Sequence, residues 1–296
     1  MGLSSSQQSY HERIHQVVDY ISEHTAEEIN LSTLASVACF SPFHFHRIFS
    51  AMIGETPRDY IERIKLEKAA NKLCLMPNKP VSEVAFECGF TSNATFSRSF
   101  KKQYKLSPTQ FLKQHIQDFH SLNVPVRNVF PTPNVIDVSS IAIVYLPICH
   151  IAYTQTLNGY STGIPKSWKK LLQFAAIHEL LNSATQYIGM PFDNPGITPQ
   201  IKCRYRACIT VPESIKLTKG DIKTTEIQAG KYAKFHFKGK QENISAAYAF
   251  IYGSWLPLSG YIPDEKPMLE IYPPELHTIA CSDLLEYDIV LPILPL

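Results

Sequence analysis

Apolar residues recur at helical spacing through the first third of the chain, then at mixed strand and helix spacing, and the change of pattern falls near residues 115 to 128. The first third contains a repeat. Leu31 to Ile61 reads LSTLASVACFSPFHFHRIFSAMIGETPRDYI and Val81 to Leu112 reads VSEVAFECGFTSNATFSRSFKKQYKLSPTQFL. Ser32, Ala35 and Phe40 superpose on Ser82, Ala85 and Phe90; after the extra Thr91, Ser41, Phe45, Arg47, Phe49 and Pro57 superpose on Ser92, Phe96, Arg98, Phe100 and Pro108. Each copy predicts a short helix (Leu34, Val37, Ala38; Val84, Ala85, Cys88), a tight break and a second helix opened by a serine whose hydroxyl can cap it. Gly89 suits the left-handed conformation such a break needs; Cys39 stands there in the first copy.

In the second helices, Phe45 with Phe49 and Phe96 with Phe100 lie at i, i+4 and are expected inward, which turns Phe43, His46, Arg47 and Ala94, Ser97, Arg98 outward. An outward arginine on a helix that fits a major groove is equipped to read guanine through O6 and N7. Between the copies, Pro57 to Leu75 predicts a rod of roughly 28 Å, with Tyr60, Ile64 and Ala69 inside and Arg63, Lys65, Lys68 and Lys72 on its polar side. Such a rod holds two reading helices at a separation compatible with one DNA turn, about 34 Å. Lys101, Lys102, Lys105 and Lys113 add a basic stretch with no acid between Glu87 and Asp118, suited to phosphates.

Beyond the proline-rich segment around 121–135, strand patterns are expected at 136–146, 202–211, 231–238, 267–272 and 287–291, and helix patterns at 165–184 and 243–256. CRYRACITVP (203–212) is echoed by LEYDIVLPI (285–293), and Trp168 and Trp255 hold comparable places, so two similar halves with a groove between them are expected. Tyr153, Tyr160, Trp168, Phe192, Phe237, Tyr252, Trp255, Tyr261 and Tyr272 are candidate lining residues. Glu270, between Leu269 and Ile271 on a strand, must point away from both, into solvent or into a cavity. Walled by aromatics, its carboxylate suits a lipophilic cation.

With 296 residues, 45% of them hydrophobic, the chain affords two ordinary cores, and a net charge of +2 does not by itself argue for nucleic acid. The polar N-terminus lacks a signal-like apolar run and Ile141 to Cys149 is far short of the roughly 20 residues of a membrane span, so a cytoplasmic protein with no membrane partner is expected. Seven cysteines without a C-x-x-C pair predict reduced thiols. His11 with His15, and His44 with His46, lack a metalloprotease setting, so no metal is expected. Neither a phosphate loop nor G-x-S-x-G occurs; no cofactor, no catalytic residue and no enzyme are expected.

The pattern A-x-x-x-G-F-x-S-x-x-x-F-x-R-x-F-K in Ala85 to Lys101, closed by Pro108 and Phe111, resembles the AraC/XylS family over about residues 8 to 115. That resemblance implies base contacts from Phe43, His46 and Arg47, and from Asn93, Thr95, Ser97 and Arg98. FDNPGITPQIKCRYRACITVP (192–212), the run 253–260 and Leu269 to Tyr272 resemble the GyrI-like, AraC-type effector-binding domain over about 123 to 294. This implies tandem β-α-β-β modules around a ligand groove with Glu270 as its central polar contact. The expected fold class is therefore multidomain. An all-α domain with two helix-turn-helix units (8–115, units about 31–54 and 81–104) and a linker (116–128) precede an α+β domain (129–296). The expected function is a DNA-binding transcription regulator whose partners are double-stranded DNA, a small-molecule effector and RNA polymerase. Two alternatives stay open for the second domain: a small-molecule hydrolase using Glu270, and an interaction module with a closed groove.

Overall fold

The computed structural model describes residues 5–121, 136–156, 159–195, 197–218, 220–274 and 284–296, which divide into two units, Met1–Asp118 and Phe119–Leu296. Most of the expected linker, from residue 122 onward, lies outside the described residues.

The first unit is helical: α1 (Ser5–Glu23), α2 (Leu31–Val37), α3 (Pro42–Ile53), α4 (Pro57–Leu75), α5 (Val81–Glu87), α6 (Asn93–Tyr104) and α7 (Pro108–Ser121). Ile14, Val17, Val18 and Ile21 form the buried stripe of α1. Phe45 and Phe49 are fully buried and continue through Phe49 onto Tyr60, with ring centroids 5.5 Å apart at each step. In the second copy Phe90, Phe96, Phe100 and Phe111 form a corresponding chain at 5.0 to 5.3 Å. Serine caps open both second helices: Ser41 Oγ accepts from the His44 amide and Ser92 Oγ from the Thr95 amide.

Both breaks close in one geometry. Cys39 N–H donates to Ser36 O and Phe40 N–H to Ala35 O; Gly89 N–H donates to Phe86 O and Phe90 N–H to Ala85 O. These are the paired bonds of a Schellman stop, which needs a left-handed residue; Gly89 has φ +77° and Cys39 φ +53°. A side chain in that region costs roughly 1 kcal/mol, and the first turn bears it with help from Arg13, whose guanidinium donates to Cys39 O at 3.2 Å. At the opposite end of α2, Asn30 Oδ1 accepts from the Thr33 amide at 2.8 Å and from the Ser32 and Thr33 hydroxyls. Asn30→Ala is therefore expected to lower stability by about 1 kcal/mol, measurable as a shift of the urea midpoint without a change in slope.

The rod between the copies is α4, but Arg63 does not lie on its polar side. It is buried between Glu55, whose Oε1 is 2.7 Å away, and Glu67, whose Oε2 is 3.0 Å away, and it stacks on Tyr60. A guanidinium is held inside because two carboxylates meet its fork.

The second unit holds β1 (Ile136–Leu146), β2 (Cys149–Thr156), α8 (Tyr160–Ile177), β3 (Tyr187–Pro191), β4 (Tyr205–Thr210), β5 (Lys223–Ile227), β6 (Gly230–Gly239), α9 (Ile244–Phe250), β7 (Tyr261–Pro263), β8 (Leu269–Tyr272) and β9 (Leu285–Pro295). The path across the main sheet is β1-β6-β9-β8-β3-β4-β2-β5, and β7 pairs with β9. β2-α8-β3-β4 and β6-α9-β8-β9 are thus two β-α-β-β modules, joined edge to edge by the antiparallel pair β3–β8. Strands β2, β3, β5 and β7 were not expected. The helix expected at 165–184 instead begins at Tyr160 after Gly159 and ends at Ile177, with Pro165 inside it. Pro165 forfeits its own N–H bond near the start of the helix without breaking it. α9 runs on through a π-helical turn (Ile251–Trp255) into a last α-turn (Leu256–Leu258).

Candidate functional site

On the helical unit, α3 turns Phe43, His46 and Arg47 outward, with Phe43 63% exposed and the Arg47 guanidinium 4.7 Å from its ring centroid. α6 exposes Asn93, Thr95, Arg98, Lys101 and Lys102; Ser97, next along from the buried Phe96, is only half-exposed. His46 of α3 and Thr95 of α6 line one cleft of about 480 Å³, whose wall includes Leu34, Arg58, Ile61, Lys65 and Phe90. Both second helices therefore border a common opening.

In the second unit, register decides which candidates meet. Gly189 pairs with Glu270 and with Ala207, and Ala207 pairs with Thr154, so these residues share one face of the sheet. Tyr153 pairs with Cys208, Cys208 with Ile188, and Ile188 with Ile271, which places Tyr153 on the opposite face. Phe192 is on that face too, and Arg206 lies 4.5 Å from the Tyr153 ring centroid and 4.9 Å from that of Phe192. The expected lining set is split there: Tyr153 and Phe192 cannot reach Glu270, because alternate residues of a strand point to opposite faces.

Glu270 is buried, at 8% exposure, and its Oε2 accepts from Tyr272 Oη at 2.7 Å and Tyr205 Oη at 3.2 Å. Tyr248 of α9 also donates to the carboxylate. Trp168 of α8 donates from Nε1 to Tyr205 Oη at 3.3 Å and meets the Tyr272 ring edge-on at 5.6 Å. Tyr160 lies 6.2 Å from the Tyr205 ring and Tyr287 5.1 Å from that of Tyr272. Burial raises the Glu270 pKa above its ordinary value, and hydrogen bonds from Tyr272, Tyr205 and Tyr248 pull it back in part. Burial likewise holds the Tyr205, Tyr248 and Tyr272 phenols well above their usual range, so they remain neutral donors. Gly189 makes the room: a Cβ there would sit 2.1 Å from Tyr205 Oη and 2.7 Å from Glu270 Oε2.

Of the expected residues, Tyr160, Trp168, Glu270 and Tyr272 converge. Trp255 instead packs against Phe235 at 4.9 Å, Phe237 packs against Tyr287, Tyr252 Oη points to Met268 Sδ, and the Tyr261 ring faces Lys231. Sequence reasoning missed Tyr205, Tyr248 and Tyr287. The signal for Tyr205 was that it lies two and four residues before Ala207 and Ile209, on the same face of a strand; Tyr248 stands four residues before Tyr252 on a helix. The loop after β3 is clamped beside this site by a buried pair, Arg204 to Asp193 at 2.6 Å, and by Tyr160 Oη donating to Asp193 O at 2.5 Å. Among the described residues no group of three or more His, Cys, Asp or Glu is placed to hold a metal ion, and no helix is long and apolar enough to cross a membrane.

Two family models match the chain: a helix-turn-helix domain over residues 34–114 and the GyrI-like small molecule binding domain over residues 139–294. The probable transcriptional regulator LumQ of Photobacterium leiognathi is 36% identical over 102 residues, which are 34% of this chain and 41% of LumQ. The regulatory protein SoxS of Escherichia coli (strain K12) is 28% identical over 103 residues, 35% of this chain and 95% of SoxS. The cryo-EM structure of an EcmrR–DNA complex aligns over 86% of this chain and 83% of EcmrR at 14% identity with a TM-score of 0.46. The chain thus spans less than half the length of LumQ. With more than half of its residues matched by one family model, the chain belongs to the GyrI-like small molecule binding domain family, here preceded by an AraC-type helix-turn-helix domain.

Proposed function

We propose that the chain is a cytoplasmic transcription regulator in which a DNA-binding domain (8–115) and a linker (116–128) precede an effector domain (129–296). The domain reads two adjacent major-groove segments, with Phe43, His46 and Arg47 on the first and Asn93, Thr95, Ser97 and Arg98 on the second, while Lys101 and Lys102 contact phosphates. One observation carries this reading: the two reading helices border the same cleft, with Phe45, Phe49, Phe96 and Phe100 buried and Phe43, Arg47 and Arg98 turned outward. The effector domain binds a lipophilic cation at Glu270 among Tyr205, Tyr248, Tyr272 and Trp168. The neutral phenols and aromatic faces are suited to a soft, weakly hydrated charge. For the ligand to regulate, it must favour one state of the protein over another, by changing DNA residence or contact with RNA polymerase.

Selection from a randomised duplex library tests the DNA reading. Enrichment of one bipartite sequence is expected, and Arg47→Ala then loses about 1–3 kcal/mol against the preferred base at one position, a factor of roughly 5 to 150. A loss equal on all sequences would reduce Arg47 to a phosphate contact, and a library that enriches nothing would remove the reading.

A further inference from the structure

α4 has a lysine whose position is not explained by phosphate binding. Lys65 Nζ donates to Gly89 O at 3.0 Å, in the turn of the second helix-turn-helix repeat, and to Glu27 O at 3.3 Å, in the segment that leads into the first repeat. A single ammonium thus ties both helix-turn-helix units to the rod between them. The approach is close: a Cβ on residue 89 would lie 2.6 Å from Thr25 O and 2.8 Å from Lys65 Nζ. Lys68 Nζ reaches Thr25 Oγ1 at 3.4 Å and reinforces the same joint. An ammonium offers three donors, and here two of them meet backbone acceptors in two separate turns, so one group ties both turns to α4. Burial lowers the Lys65 pKa from the ordinary lysine value, in keeping with a group turned toward the protein.

We propose that Lys65 is a positioning residue that sets the half-site spacing this chain accepts, by locking the separation and twist of its two reading units. The proposal rests on the two-segment DNA reading above. One extra base pair between half-sites shifts the second by about 3.4 Å and turns it by roughly one tenth of a turn. A locked joint cannot follow that shift; a loosened one can.

The test uses the full chain and the duplex enriched from the random library, with copies carrying one or two base pairs inserted between its halves. Fluorescence anisotropy gives the Kd on each. The wild-type chain is expected to lose at least tenfold per inserted base pair. Lys65→Met is expected to bind the original duplex more weakly and to lose no more than about threefold on insertion, whereas Lys65→Arg, which keeps donors for both carbonyls, restores the wild-type ratio. Circular dichroism and thermal midpoints are followed throughout, and Lys65→Gln replaces the methionine variant if the latter unfolds. A folded Lys65→Met or Lys65→Gln chain with the wild-type spacing ratio overturns the proposal. A wild-type chain without spacing preference overturns it as well. Enrichment of only a single half-site would instead overturn the two-segment reading on which it stands.

Discussion

Glu270→Gln is expected to make the ligand-free protein more stable at neutral pH while removing its response to lipophilic cations. Burial raises the Glu270 pKa, so the folded state holds this proton more tightly than the unfolded chain does. Stability from this group is accordingly highest at low pH, falls as pH rises from the ordinary carboxylate value of 4.5 through the raised one, and stays low beyond. Glutamine keeps a polar partner for Tyr205 and Tyr272 without a charge to desolvate. A gain on the order of 1 kcal/mol corresponds to a few degrees in Tm for a unit of this size. Cation binding follows the opposite course, because it needs the ionised carboxylate, and weakens as pH falls through the raised value.

The reporter is already in place, since Trp168 shares Tyr205 with the carboxylate. Titration with tetraphenylphosphonium is expected to change its fluorescence saturably in the wild-type chain. In Glu270→Gln the loss should be about 3 kcal/mol or more, at least a hundredfold in Kd, because a buried charge is left without its partner. Tetraphenylborate, of nearly the same shape and opposite charge, is the control. Equal binding of both ions would sink the cation reading. Recovery of chemically unchanged ligand after long incubation separates binding from turnover.

Arg63→Ala should be the most damaging substitution in the helical unit. It leaves Glu55 and Glu67, the latter with only 3% of its side chain exposed, without the guanidinium they share. Breaking a buried ion pair from one side costs about 3–5 kcal/mol, which is a large part of the roughly 5–15 kcal/mol that holds a domain folded. Thermal unfolding at pH 7.5 measures the deficit. A variant within 1 kcal/mol of wild type at pH 7.5 would show that the cluster contributes little.

The helical unit was legible in the sequence because its determinants are local. Serine caps, paired phenylalanines four apart and a left-handed stop lie within about 20 residues of each other and occur twice. Arg63 was misplaced because a helical wheel assigns arginine to solvent, and only the folded chain brings Glu55 and Glu67 to it. In the second unit β2 escaped because its centre is buried on both faces, so alternation vanishes, and β5 because it is a polar edge strand of five residues. β3 is short and contains Gly189 and Pro191, residues that ordinarily mark a turn. Glu270 could be singled out as the odd acid in an apolar strand. Its partner Tyr205 is 65 residues away, and their meeting depends on a register that no short window contains.

The seam between the two modules also sets the stoichiometry expected of the proposed site. β3 and β8 face each other, but β8 brings a carboxylate and β3 brings, directly opposite, a glycine. Duplication of the fold therefore did not duplicate the charge. On the proposed cation reading, one such acid per chain is expected to give a hyperbolic rise of occupancy with dose, and a steeper response would require coupling between chains.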